Sequence, residues 1–222
     1  MSNHYGTVQV AASENLVLCL DAADANSYPG SGNTWYDLTG HDNFTTISGT
    51  PTFSSNPARL VYDGIYADND LGGSVPAAWQ GDQECTIDMW YYMDTPHTAC
   101  CDTVFGRSYF RFFQINTNLY TMIGFEDGGL YYQHPSFVLA SDTWHHCVGV
   151  RRGDDYIIWI DGVEMYNTTF GIGLPLSTPG QTWYVNMDHA DTEFSVCRMW
   201  NRGLSDAEIL HNYNAQRTRF GV

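Results

Sequence analysis

The 222-residue chain contains no lysine; its nine basic residues are all arginine, set against 25 acidic ones, for a formal net charge of −16. Without a basic stripe nothing displaces counterions from phosphates, which argues against nucleic acid as a partner. Glutamate is scarce as well, and no two of the six stand four or five residues apart on one strand. Retaining hydrolysis of a glycosidic bond needs two carboxyl groups about 5 Å apart, so its simplest sequence signature is missing. No apolar run is long enough to cross a bilayer. Residues 1–6 have neither the charged start nor the apolar core of a signal peptide, so the chain is expected to fold where it is made. There is no internal repeat, and the six cysteines lack zinc-ligand spacing. Cys19, Cys147 and Cys197 lie within apolar strand patterns and read as buried thiols, with a clamp between Cys85 and Cys100 or Cys101 as the alternative.

Aromatic and apolar side chains are plentiful. Hydrophobic residues make up 43% of the chain and aromatic residues 15%, enough to bury two sheet faces against each other. About a dozen strand-like runs between residues 16 and 200 are separated by Gly, Pro, Asn and Asp clusters, the rhythm of an antiparallel sandwich. Thr143-Trp-His-His-Cys-Val-Gly-Val-Arg151 and Tyr156-Ile-Ile-Trp-Ile-Asp-Gly-Val-Glu164 read as successive strands, the second closing on an Asp-Gly turn. Ser205 and Glu208 have capping-box spacing at the start of the only helix expected, residues 205 to about 215, whose stripe is Ile209, Leu210 and Tyr213.

These strands, together with Asn201-Arg-Gly-Leu-Ser-Asp-Ala-Glu-Ile209, resemble the laminin-G-like branch of the concanavalin A-like lectin/glucanase superfamily. Leu16-Val-Leu-Cys-Leu-Asp-Ala22, Tyr28-Pro-Gly-Ser-Gly32, Thr34-Trp-Tyr-Asp-Leu-Thr-Gly40 and Cys85-Thr-Ile-Asp-Met-Trp-Tyr91 are similar to the family's opening strand, its following loop and its central strand. The resemblance implies an all-β, two-sheet antiparallel jelly-roll sandwich with one short C-terminal helix, preceded by an arm over residues 1–13 and filling residues 14–222. Residues 212–221 further resemble the ending of such domains in structural proteins of tailed bacteriophages. The implied role is a non-enzymatic virion surface protein, a capsid decoration protein first, with a carbohydrate-binding adhesin or fibre tip as the alternative and a glycoside hydrolase as a remote one. Its partners would be virion proteins and host-surface glycans, with homo-oligomers admitted and no membrane or nucleic acid.

On the central strand, Ile87, Met89, Tyr91 and Met93 share one face and Asp88, Trp90 and Tyr92 the other. The second face is polar and aromatic, as a sugar-binding concave sheet would be. Sugars stack on aromatic rings and give their hydroxyls to neighbouring polar groups, so Trp79, Trp90, Tyr92, Tyr131, Tyr132 and Asp88 are the carbohydrate candidates, with core packing as the plainer role for each. Glu84 and Asp88, four apart, come nearest to a carboxylate pair; an edge charge plus a polar sheet residue is the simpler reading. No catalytic residue is assigned, and His146, at the Trp-His position of the resemblance, is expected to pack and hydrogen-bond. Calcium could sit among Asp63, Asp68 and Asp70, at Asp154 and Asp155, or at Asp188 and Asp191, although such loop residues are commonly solvated turn formers and no ligand set is specified. Tyr5, Val8 and Val10 are the anchors expected of an attachment arm.

Overall fold

The computed structural model describes residues 4–5, 8–9, 13–41, 44–47, 51–62, 71–72, 84–93, 97–107, 110–116, 118–124, 131–169, 184–187 and 192–222. The chain opens with β1 (His4–Tyr5), β2 (Val8–Gln9), β3 (Leu16–Asp21), β4 (Thr34–Tyr36), β5 (Phe44–Thr46) and β6 (Thr52–Ser55). It continues through β7 (Ala58–Tyr62), β8 (Leu71–Gly72), β9 (Cys85–Met93), β10 (His97–Arg107), β11 (Phe110–Asn116) and β12 (Asn118–Gly124). The last part holds β13 (Tyr131–Val138), β14 (Thr143–Arg152), β15 (Asp155–Ile160), β16 (Val163–Thr169), β17 (Tyr184–Met187), β18 (Thr192–Trp200) and helix α1 (Asp206–Phe220).

Two antiparallel sheets dominate. One has eight strands, in the order β16-β15-β14-β9-β18-β7-β6 with β3 also paired to β18; the other runs β13-β12-β11-β10-β17. The larger sheet reaches eight strands because β18 has two neighbours on one side. Its residues 192–194 pair with β7 and its residues 196–200 with β3. The main core lies between the sheets, where Ile87, Met89 and Tyr91 of β9 meet Phe112 of β11 and Phe137 of β13.

The alternation along β9 continues on its neighbours. In β14, Cys147 faces the main core while Val148 and Val150 face away; in β15, Ile158 and Ile160 face inward while Ile157 and Trp159 face away. Those away-facing residues are buried too, giving unbroken buried runs in β14 and β15 where a one-sided sheet would alternate. Their cover is α1 and the segment leading into it: Leu204 and Ile209 pack on Val148, Val150, Trp159 and Trp200, and Phe220 packs with Trp90, Trp144 and Val196. Removing a side chain such as Ile209 or Phe220 from water contributes on the order of 2 kcal/mol. The open second face expected for the central strand is therefore corrected to a closed one.

The helix begins where the sequence indicates. The S-x-x-E box is formed, and its well-aligned bonds converge on Glu208: the Ser205 N–H and the Ser205 hydroxyl both donate to Glu208 Oε2, at 2.8 and 2.9 Å. Arg202 holds the same carboxylate with two guanidinium nitrogens at 2.9 and 2.6 Å. The hydrogen bonds from Arg202 come first in holding the Glu208 carboxyl down at about 2. The helix runs to Phe220, five residues beyond the expected end. Phe220 docks on Trp90 and Arg219 pairs with Asp21 at 2.9 Å; Gly221, at φ 74°, then stops it with a left-handed turn. Its buried stripe is Ile209, Asn212, Gln216 and Phe220; Leu210 is exposed and Tyr213 half-buried, which corrects the expected apolar stripe.

Within the N-terminal arm, β1 and β2 pair with each other, Tyr5 opposite Val8, and β2 approaches α1. The side chains of Tyr5 and Val8, and all of Val10, lie outside the described residues.

Candidate functional site

The polar centre of the molecule is built on β9, held between β14 and β18. Asp88 pairs across the ladder with Arg198 of β18, which fixes both side chains on the same face. Arg198 Nη2 donates to Asp88 Oδ1 at 2.6 Å and to Gln216 Oε1 of α1 at 2.8 Å, and its Nε reaches Asp88 Oδ1 at 3.2 Å. Asn212 of α1 donates to Asp88 Oδ2 at 3.3 Å. His146 Nε2 lies 3.2 Å from the same oxygen, near enough for attraction but off hydrogen-bond alignment. Asp88 is 0% exposed and Arg198 1%. Burial alone would raise the Asp88 pKa; the charge of Arg198, with His146 beside the carboxylate, outweighs it and holds the carboxyl well below the usual carboxylate range.

An aromatic layer surrounds this node. Trp90 stacks on Phe220, ring centres 4.2 Å apart, and on Tyr213 at 5.9 Å, and packs beside His146 at 4.9 Å. Trp144 contacts Phe220 and meets Tyr92 edge-on. Trp90 is 0% exposed, so no sugar can reach Trp90 or Asp88, and both are withdrawn as carbohydrate contacts. The reason is α1, which occupies the face where a ligand would stack. Tyr92 is half-buried at the rim of the layer. Trp79 lies outside the described residues, and Tyr131 and Tyr132 fall on β13 with side chains outside them. His146 packs as expected, but no aligned hydrogen bond reaches either ring nitrogen.

The remaining polar candidates are also accounted for locally. Glu84 is exposed ahead of β9, where its Oε1 accepts the Gly153 N–H at 3.1 Å, so it does not pair with buried Asp88. His145 Nδ1 lies 2.8 Å from Asp161 Oδ2 and its Nε2 2.9 Å from the Ala140 carbonyl, two acceptors that only an imidazolium can serve at once. Burial lowers the His145 pKa, but these bonds outweigh it and the net shift is upward. Asp161, at φ 50°, also accepts the His146 N–H at 2.8 Å, which pins the β15–β16 turn to β14. Cys19, Cys85, Cys147 and Cys197 are free, buried thiols, so Cys85 forms no clamp with Cys100 or Cys101. Burial pushes all four well above the usual thiol range.

Among the described residues no three His, Cys, Asp or Glu side chains gather as a metal cluster. Of the acidic loops considered for calcium, only Asp154 and Asp155 are described. Asp155 accepts the Thr169 hydroxyl at 2.5 Å. Asp63, Asp68, Asp70, Asp188 and Asp191 lie outside the described residues.

Open space appears instead at the far edge of the large sheet, beside β6. Two adjoining clefts of about 330 Å³ each share Tyr28, Gly30 and Phe53. Gly30, at φ 86°, takes a left-handed backbone conformation that favours glycine, and a Cβ there would stand 3.6 Å from the Phe53 ring edge, at ordinary contact distance. The Tyr28 hydroxyl donates to the Gly32 carbonyl at 3.1 Å and holds the loop in this shape. Sequence reasoning took Tyr28-Pro-Gly-Ser-Gly32 only as a fold marker. The alternating Gly residues were the available signal of a shaped loop, but its contact with Phe53, over 20 residues away, was not legible.

The comparisons with known proteins agree with this architecture. No curated protein matches in sequence. The binding domain of Paraclostridial Mosquitocidal Protein 1 superposes with a TM-score of 0.71 at 11% identity, covering 90% of this chain and 52% of that one. The botulinum neurotoxin serotype D ligand binding domain in complex with N-acetylneuraminic acid gives 0.68 at 11% identity, with coverages of 91% and 51%. The binding domain of botulinum neurotoxin DC in complex with rat synaptotagmin II gives 0.67 at 12% identity, with coverages of 90% and 51%. The chain thus spans about half the length of each, and at these identities the likeness is one of fold. The family pattern of the laminin-G type, described as the concanavalin A-like lectin/glucanases superfamily, matches residues 62–210. With two thirds of its length under that pattern and its sheets in that arrangement, the chain belongs to the concanavalin A-like lectin/glucanase superfamily.

Proposed function

We propose that this chain is a non-enzymatic, glycan-binding protein of a tailed-bacteriophage particle, a capsid decoration exposed to the outside. The observation that carries the non-enzymatic part is the Asp88 node. The carboxylate on the central strand is neutralised by Arg198 and buried beneath α1, while Glu84 turns away to the β14–β15 loop. A group so enclosed cannot meet a glycosidic oxygen. This supports a reading of the fold as one that recognises ligands at its edges and loops.

The phage assignment rests on the resemblance of residues 212–221 to virion proteins. Asn212, Gln216 and Phe220 in that stretch close the sheet, so it is a likeness of domain architecture. The arm, with its own small β1-β2 pair, is the proposed attachment element, through Tyr5, Val8 and Val10, to the shell or to a second copy of the chain. On this reading the protein is made and folded in the host cytoplasm and ends on the virion surface.

A second reading, a host-surface adhesin or fibre tip, is favoured by the similar toxin binding domains, one in complex with rat synaptotagmin II and one with N-acetylneuraminic acid. Cosedimentation with purified capsids and mass-spectrometric inventory of virions separate the two. Recovery with capsids, lost when residues 1–12 are removed, supports decoration through the arm. Binding to host cells with no recovery on capsids or virions overturns it in favour of the adhesin.

A further inference from the structure

We infer that the paired clefts around Phe53 form the sugar site, and that they take two adjoining residues of a neutral glycan; this rests on the glycan-binding reading above. Each cleft, at about 330 Å³, falls at the small end of the range of roughly 300–1,000 Å³ typical of small-molecule sites, and the shared Phe53 wall makes them neighbours. Phe53 is half-buried on β6, braced from below by Tyr28 with ring centres 5.4 Å apart. A ring held in that way offers a fixed apolar platform for the C–H face of a sugar. On one side of it run the exposed Ser31 and Asn33 and the main chain of a glycine loop; on the other stand Pro29 and Ser55. A serine on each side of an aromatic ring, with the Asn33 amide on one, matches the alternating polar rims and apolar faces of a saccharide. Gly30, at φ 86°, shapes the loop beside the ring through a backbone conformation that L side chains rarely adopt.

Charge decides which saccharides fit. No Asp, Glu, His or Arg lines either cleft. Every arginine whose side chain is described is turned to an internal partner: Arg59 to Glu193, Arg151 to the Gly153 carbonyl, Arg152 to Asp206, Arg198 to Asp88, Arg202 to Glu208 and Arg219 to Asp21, with Arg217 over the Tyr213 ring. The chain carries a net charge of −16, and among the described residues no basic side chain lines the clefts to receive a carboxylate. An anionic sugar such as N-acetylneuraminic acid is disfavoured, in contrast to the ligand of the similar serotype D domain.

The test is saturation-transfer NMR on the full chain with lactose, cellobiose and chitobiose as neutral probes and N-acetylneuraminic acid as the anionic one, followed by titration of the best binder. At least one neutral disaccharide should bind, and N-acetylneuraminic acid should bind about tenfold more weakly or not at all. Phe53→Ala removes the platform and Ser31→Trp, at an exposed position, fills the first cleft; each should weaken binding about tenfold, Ser31→Trp with an unchanged melting temperature. Binding that Ser31→Trp and Phe53→Ala leave intact places the site elsewhere and overturns the inference while glycan binding stands. Preferential binding of N-acetylneuraminic acid overturns the neutral-ligand assignment. Failure of all three neutral disaccharides overturns the inference, and an array of larger neutral and sialylated glycans that also stays blank removes glycan binding from the proposed function.

Discussion

Asp88→Asn distinguishes a structural centre from a catalytic one. The substitution keeps the shape of the side chain and removes its charge, leaving the Arg198 guanidinium, 1% exposed, without a counterion. Breaking a buried pair from one side costs about 3–5 kcal/mol, because the remaining charge stays desolvated. Against a total stability on the order of 5–15 kcal/mol, that is a large fraction. Urea denaturation followed by tryptophan fluorescence suits the measurement, since Trp90 lies beside the node and changes environment when α1 departs. A double-mutant cycle isolates the pair: Asp88→Leu combined with Arg198→Met should be less damaging than the sum of the two single changes by roughly 2 kcal/mol or more, because no lone charge remains. Acid tests the same contact. The folded pKa of Asp88 is depressed, so its contribution is present above the unfolded carboxyl value of about 3.9 and is lost as the pH falls through the folded value. A loss below about 1 kcal/mol for Asp88→Asn, with additive behaviour in the cycle, would refute the account of the node.

Four other outcomes follow from local geometry. The folded pKa of His145 is raised, so its clamp to Asp161 and Ala140 stabilises the fold below the unfolded value of about 6.5 and fades as the pH rises through the folded value; His145→Gln should flatten that segment of a plot of denaturation midpoint against pH. Ser205→Ala should cost about 1 kcal/mol, whereas Glu208→Ala, which also loses the cap to the Ser205 N–H and the Arg202 contact, should cost more, as read from denaturation midpoints. Gly162→Ala should lower the melting temperature, because the residue sits at φ 76° and a Cβ would approach within 2.6 Å of the Tyr213 ring. In native protein at pH 8, iodoacetamide should leave Cys19, Cys85, Cys147 and Cys197 unlabelled, with labelling by peptide mass spectrometry appearing only after unfolding.

Local pattern in the sequence was enough to determine the antiparallel strands, the Asp161-Gly162 turn and the start of the helix, because alternation, turn chemistry and capping act between residues near one another in the chain. The same alternation correctly placed Asp88 and Trp90 on one face of β9. It carried no information about what covers that face. The cover comes from α1, more than 110 residues later, whose Asn212 and Gln216 look like surface residues until they are seen to answer Asp88 and Arg198. Trp90, which read as part of a sugar platform, became packing beneath a helix, and open space lies at the sheet edge, where a glycine loop adjoins Phe53. A strand's own periodicity fixes which side chains share a face; only the tertiary structure decides whether that face meets solvent or another element, since the decision rests on the packing of segments distant in sequence.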